Sequence, residues 1–427
     1  MPTNLPPIRI AHITTMDFSL TSLLLNQLRS LQQTGYEMVG ISSPGKEVPV
    51  LEAAGVRHIS VPITRTLTPL ADLLSLCRLY RIMRRERFTI VHTHNPKPGL
   101  LGQLAARMAG VPIVVNTLHG FYFHDHMHPA WRRFLIVLEA IAARCSDIIL
   151  SQNREDMRMA VRERICPPGK IKHLGNGIDL TQFDPDRLSA EEISRRREEL
   201  GIPAGAPVVG FVGRLAAKRK GFLDFLAAGQ MVSAHHPNVR FLIVGHADPG
   251  TSDAVEPSVA KYYGIAAQCL FLGNRPYEEL PLLYKLIDVL VLPSVFEGIP
   301  RVVMEASAME VPSVVTDVKG NREAVEAGRN GSLVPLGDVS ALTDAICELL
   351  ADPEKARRLG KEGRRMALER FDERLVFEKV KAEYARLLRE KGLLIGSAVP
   401  QAAEPILKDA EPILKDAAPI HRLQSPS

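Results

Sequence analysis

The chain has 427 residues, 46% hydrophobic and 24% charged, with a net charge of +5. This is room for two or three domains with full cores, which excludes collagen-like and disulfide-stapled classes. The apolar runs fall short of the about 20 residues a membrane-spanning helix needs. Five scattered cysteines form no C-x-x-C pair and the opening MPTNLPP reads as no signal peptide, so a cytoplasmic protein is expected.

Alternating short β-branched runs and helical stretches follow in chain order. Strands are predicted over 8–13, 37–41, 57–61, 89–92, 111–117 and 147–151, with helices over 20–33, 70–87, 99–108 and 131–145 between them. A polar, proline-containing stretch over 176–206, with a short helix over 191–200, interrupts the alternation and reads as a hinge. A second series then places strands over 207–212, 239–244, 269–272, 289–292 and 313–316. Two doubly wound α/β lobes are therefore expected, with ligands beyond the carboxyl ends of their strands, in a cleft where the two edges face each other. Beyond 396 the chain repeats AEPILKD with a proline in each copy, which breaks a helix and reads as a disordered tail or a docking peptide.

The charge is unevenly spread. Residues 1–180 carry 21 basic against 13 acidic side chains, a net of +8, and 9 of the 13 histidines. Such one-sidedness implies an anionic partner: nucleic acid, a phospholipid surface or a phosphorylated substrate. Arg78, Arg81 and Arg85 share one face of the helix over 70–87, and Trp131, Arg132 and Arg133 open the next amphipathic helix. These two patches suit either anionic lipid or a merely solvated basic face. No nucleic-acid reading module is apparent.

The turn after the first strand, HITTMDFS, has no glycine, so the backbone approach that a dinucleotide fingerprint requires is missing; no P-loop is present either. In the second lobe, Gly213, Arg214 and Lys220 follow a strand, where a guanidinium fork and an ammonium suit a diphosphate; with Lys218 and Arg219 beside them, a merely solvated basic loop is the preferred reading of this stretch taken alone. Residues 293–306 (PSVFEGIPRVVMEA) place Glu297 and Gly298 in a loop, Pro300 in the first turn of a helix whose free N–H groups form an anion site, and Glu305 on its apolar side. Glu305 there needs either ribose hydroxyls or a basic neighbour, and Glu297 is either a ligand or a surface turn residue. His92 and His94, like His124, His126 and His128, have a spacing open to metal ligation, but no third ligand is fixed by the sequence and a polar loop is the preferred reading.

Together, Glu297-x7-Glu305, the Arg214–Lys220 pair, Asn176-Gly177-Ile178-Asp179 and Asp288-Val289 through Pro293-Ser294 resemble the retaining GT-B glycosyltransferases, and most closely glycosyltransferase family four, over about residues 8–390. The segments VHTHNPKPG (91–99) and LHGFYF (118–123) further resemble members acting on polyprenyl-diphosphate-linked sugars. The resemblance implies an acceptor-binding lobe over 1–180, a hinge over 181–206, a nucleotide-sugar lobe over 207–371, a helix over 372–395 crossing back to the first lobe and a tail over 396–427. It implies transfer of a hexose or N-acetylhexosamine from a nucleotide sugar, with uridine as the expected base, to a lipid-linked saccharide. Arg214 and Lys220 would bind the diphosphate, with Gly213 beside them. Glu297 would hold the sugar with Gly298, Ile299, Pro300 and Arg301; Glu305 would take the ribose, Asn274 and Arg275 would face the base, and His119 would lie opposite Glu297. Asp17, His94 and Lys97 would serve the acceptor. Two cations and a helix N-terminus suffice to stabilise the leaving group, so neither a metal nor a cofactor is expected. The alternatives are a UDP-N-acetylhexosamine 2-epimerase on the same architecture and a non-catalytic sugar-nucleotide or lipid-binding protein.

Overall fold

The computed structural model describes residues 8–94, 96–123, 127–248 and 250–393. The repeated tail, His124 and His126 lie outside the described residues.

The first lobe is a seven-stranded parallel sheet built from β1 (Arg9–Met16), β2 (Glu37–Ser43), β3 (Arg57–Ser60), β4 (Ile90–His94), β5 (Ile113–Leu118), β6 (Ile148–Ser151) and β7 (Ile171–His173), in the order β3-β2-β1-β4-β5-β6-β7. The second holds β8 (Val208–Val212), β9 (Arg240–Val244), β10 (Cys269–Gly273), β11 (Val289–Leu292), β12 (Ser313–Thr316) and β13 (Gly331–Val334), in the order β10-β9-β8-β11-β12-β13. Strands buried on both faces read as continuous apolar runs, which is why 208–212 and 289–292 were legible. β7 has only three residues, and β13 opens on Gly331 and Ser332 and is only partly buried, so neither reads as an apolar run. In place of one helix over 20–33 the chain makes two, Asp17–Ser22 and Leu25–Gln33, with a turn that turns Leu24 into the core.

In each sheet the order reverses once, between β1 and β4 and between β8 and β11, and a crevice opens beyond the strand ends at such a point. The chain crosses between the lobes twice, and the two passes are bonded together. Ile178 N–H donates to the Phe371 carbonyl at 2.8 Å and Glu373 N–H to that of Ile178 at 3.1 Å. A Cβ on Gly177 would sit 2.5 Å from Glu373 Cα, so only glycine fits that crossing. The last helix, Glu373–Glu390, returns to the first lobe. Its Val380, Tyr384, Leu387 and Leu388 join one core with Ile10, Leu28, Ile90 and Val115.

Candidate active site

The second lobe supplies a fixed acid–base pair. Gly221 opens the helix Phe222–His235 at φ +65°, and a Cβ there would stand 1.9 Å from the Pro293 carbonyl oxygen. Val295 N–H donates to the Arg219 carbonyl at 3.1 Å, so the loops after β8 and β11 are tied together. Lys220 is thereby held over Glu297, with Nζ 2.6 Å from Oε1 and side chains only 18% and 12% exposed. The helix Arg301–Ala308 starts with Pro300 as its cap rather than in its first turn.

The first lobe closes over this loop. The His119 carbonyl lies so near Gly298 that a Cβ on Gly298 would meet its oxygen at 2.1 Å. Asn153 Nδ2 donates to the Gly298 carbonyl at 3.3 Å and Asn176 Nδ2 to that of Ile299 at 3.2 Å. Behind them Lys319 of the second lobe forms a buried ion pair, 2.8 Å long, with Asp156 of the first. The resulting cleft, of about 300 Å³, brings together His94, His119, Lys220, Glu297, Gly298, Ile299, Pro300 and Arg301. Burial pushes the His119 imidazole down to about 4, against a hydrogen bond from its ring to Gln152, so it is neutral near pH 7.

Other expected residues are engaged elsewhere. The Arg214 guanidinium stands 3.7 Å from Asp248, which Arg65 of the first lobe also holds at 2.7 Å. Gly213, at φ +147°, donates its N–H to the Val244 carbonyl. Asn274 is exposed and bonded to His246 at 2.7 Å, and Arg275 beside it is exposed. Glu305 is buried, accepting from the Tyr284 hydroxyl at 2.8 Å with Arg301 at 3.7 Å; burial raises its pKa, opposed by Arg301 and Tyr284. Asp17 accepts backbone N–H bonds from Phe18 and Glu47 at 2.9 and 2.8 Å, pinning the loop after β2. Lys97 pairs with Asp72 at 2.5 Å and bonds Thr64 and the Thr66 carbonyl. Arg132 is taken by Glu163 at 2.8 Å, which removes it from the exposed basic surface that Arg78, Arg81, Arg85 and Arg133 retain.

Two groups of residues escape sequence reading. Arg219 lies over the rings of Tyr122, 5.4 Å away in the first lobe, and Phe296, 5.0 Å away in the second, so it is an aromatic clasp across the cleft rather than part of a solvated loop. The other is a third imidazole. His12 is the register partner of His92, and one ring nitrogen from each of His12, His92 and His94 can be chosen so that all lie within 4.8 Å. Such a trio has the donor set for a metal ion. Only the pairing of β1 with β4 reveals it.

The family models agree with this architecture. Residues 21–182 match "Glycosyltransferase Family 4" and residues 192–366 match "Glycosyl transferases group 1". The chain is 31% identical over 351 residues to the UDP-Gal:alpha-D-GlcNAc-diphosphoundecaprenol alpha-1,3-galactosyltransferase of Escherichia coli, covering 81% of this chain and 88% of that one. It is 27% identical over 394 residues to the capsular polysaccharide biosynthesis glycosyltransferase CapM of Staphylococcus aureus, covering 90% and 98%. Among solved structures, Anabaena HepE in complex with UDP-glucose superposes with a TM-score of 0.76 at 21% identity, over 88% of this chain and 99% of that one. The protein belongs to the family-four glycosyltransferases of the GT-B fold.

Proposed function

We propose that the protein is a retaining hexosyltransferase that moves a hexose or N-acetylhexosamine from a UDP-sugar to a polyprenyl-diphosphate-linked saccharide in polysaccharide assembly. The observation that carries this reading is the Lys220–Glu297 pair, sunk at 2.6 Å in a cleft that His119 closes from the other lobe. A donor splits the pair into two charge-assisted contacts: Glu297 accepts from sugar hydroxyls while Lys220 turns to the diphosphate. Arg214 leaves Asp248 for the same diphosphate. As the bond from the anomeric carbon to the phosphate oxygen breaks, charge grows on that oxygen. Lys220, Arg214 and the backbone N–H groups from Gly298 onward are aimed at it, each worth about 2.7–4 kcal/mol by analogy with oxyanion-hole donors. The acceptor hydroxyl forms its bond from the face the phosphate leaves, and the departing phosphate takes the hydroxyl proton, giving retention and free UDP.

The diphosphoundecaprenol acceptor and UDP-sugar donor named for the E. coli relative support both substrate classes. A peripheral membrane seat is supported by two helices. On Pro69–Glu86, Leu70, Leu74, Arg78, Arg81 and Arg85 share one exposed face, apolar toward the helix start and basic toward its end. On Pro129–Cys145, Trp131, Phe134, Val137 and Ile141 are exposed. No helix among the described residues is long and apolar enough to cross a membrane. The 2-epimerase alternative is not favoured, since both curated relatives above are transferases.

The test is a panel of UDP-sugars with a polyprenyl-diphosphate-linked acceptor. Wild type should release UDP and an α-linked product from an α-linked donor, and Lys220→Ala and Glu297→Ala should each fall by about 100-fold or more. Turnover persisting in both variants removes the site assignment, and conversion of a UDP-N-acetylhexosamine without acceptor favours the epimerase.

A further inference from the structure

Beneath the cleft runs a buried file of hydrogen-bonded groups that the proposed chemistry leaves unused. Thr117 Oγ1 meets His92 Nε2 at 2.7 Å, and His92 Nδ1 meets the Tyr384 hydroxyl at 2.5 Å. The same hydroxyl meets His12 Nε2 at 3.1 Å. His12 Nδ1 meets His94 Nε2 at 2.9 Å, and His94 Nδ1 meets His119 Nε2 at 3.1 Å. Gln152 bonds the His119 ring. Thr117, His92, Tyr384, His12 and His94 are all 3% exposed or less, and the file meets the cleft lining at Thr117, His94 and His119.

Burial holds all four imidazoles neutral, with His12 pushed down to about 3 and His92 and His94 well below the usual histidine range. A neutral imidazole has one N–H and one lone pair, and a hydroxyl has one hydrogen to give. The file therefore runs as a unit, in one direction or the other. If Thr117 donates to His92, then His92 donates to Tyr384, Tyr384 to His12, His12 to His94 and His94 to His119, leaving His119 protonated at Nδ1 alone. The reverse direction also closes, with His119 protonated at Nε2. Any mixed arrangement leaves two N–H groups or two lone pairs facing each other, or makes Tyr384 accept from both His92 and His12 with its own hydroxyl hydrogen stranded. The proton position on His119 is thus tied to a hydroxyl on the returning C-terminal helix.

We propose that Tyr384, His12 and His94 are positioning residues that lock His119 in one tautomer, and so fix whether its ring gives or takes a hydrogen bond in the transferase cleft. The inference rests on the reading of that cleft as the transfer site. Ligation of a metal by the same imidazoles fits less well. His92 turns both nitrogens to Tyr384 and Thr117, and His12 and His94 face each other at 2.9 Å, closer than the about 3.3 Å between ligands on a tetrahedral ion with 2.0–2.1 Å bonds.

The experiment uses the full chain labelled with 15N-histidine, with the His119 signal assigned by its loss in His119→Gln. Long-range proton–nitrogen correlation spectra report the tautomer directly. Wild type should show one tautomer at His119. Tyr384→Phe, which keeps the ring packed but removes the hydroxyl, should give a mixture and lower kcat by roughly 10- to 100-fold, the size found when a partner orienting a functional imidazole is removed. The KM for donor should stay within about threefold, a split that general loosening of the fold would not give. His12→Gln serves as the second variant. An unchanged His119 tautomer in both variants overturns the proposal. So does a mixed tautomer with unchanged kcat, or one equivalent of zinc in the purified protein that His12→Gln abolishes. A wild-type chain with no transfer activity but a single His119 tautomer that Tyr384→Phe mixes would instead overturn the functional reading and leave the lock standing.

Discussion

Gly298 is one of the points where the two lobes touch, and its replacement by alanine gives a sharp quantitative expectation. The added Cβ would lie 2.1 Å from the His119 carbonyl oxygen and 3.3 Å from Gln152 Oε1. Carbon and oxygen do not approach below 3.0 Å, so the loop and the opposing lobe must separate by about 0.9 Å. A misplacement of about 1 Å at reacting groups costs on the order of 100-fold, or about 2.7 kcal/mol of transition-state stabilisation. Gly298→Ala should therefore lower kcat/KM about 100-fold while the thermal midpoint moves little, because opening the cleft relieves the clash without unpacking either sheet. Gly169, with nothing within 4 Å of a Cβ, supplies the control: Gly169→Ala should match wild type. Steady-state UDP release measured alongside thermal unfolding decides the matter. A Gly298→Ala enzyme within threefold of wild type would refute the claim that lobe contact at this residue sets the catalytic geometry.

Lys319→Met strands the Asp156 carboxylate, which among the described residues keeps Asn153 Nδ2 at 2.7 Å and Phe121 N–H at 3.3 Å. Loss of one partner from a buried pair costs about 3–5 kcal/mol, and those two remaining bonds favour the lower end, near 3 kcal/mol by urea unfolding; adding Asp156→Asn should recover part of it. Stability should also fall as pH drops from 6.5 toward 5. The histidines at 12, 92, 94 and 119 have folded pKa values below their unfolded ones, so the unfolded chain binds more protons there. The slope approaches about 1.4 kcal/mol per pH unit for each imidazole. Glu139, lifted by burial to about 7, opposes this between 4.5 and 7 with a single proton, and a flat urea midpoint from pH 7 to 5 would contradict the balance. Finally, Leu70→Glu with Leu74→Glu should weaken co-sedimentation with anionic phospholipid vesicles at least tenfold, since each leucine contributes about 1.5 kcal/mol or more when it leaves water.

The sequence by itself determined the two-lobed parallel architecture, because strands covered on both faces must read as apolar runs and the connecting helices must carry one apolar stripe. It also located the loop 293–300, since a strand end, a glycine and a helix-opening proline are local signals. The tertiary structure decided which charges meet. Nothing in the spacing of Lys220 and Glu297, or of Lys319 and Asp156, states that they are neighbours, whereas Asp17 and Lys97 look available in sequence and are bound to partners within their own lobe. Pairing β1 with β4 put His12 beside His92, and the returning helix brought Tyr384 between them. Local periodicity encodes which face of an element is buried; which distant side chain lies on the other side of that face is set only when sheet order, register and lobe closure are fixed together.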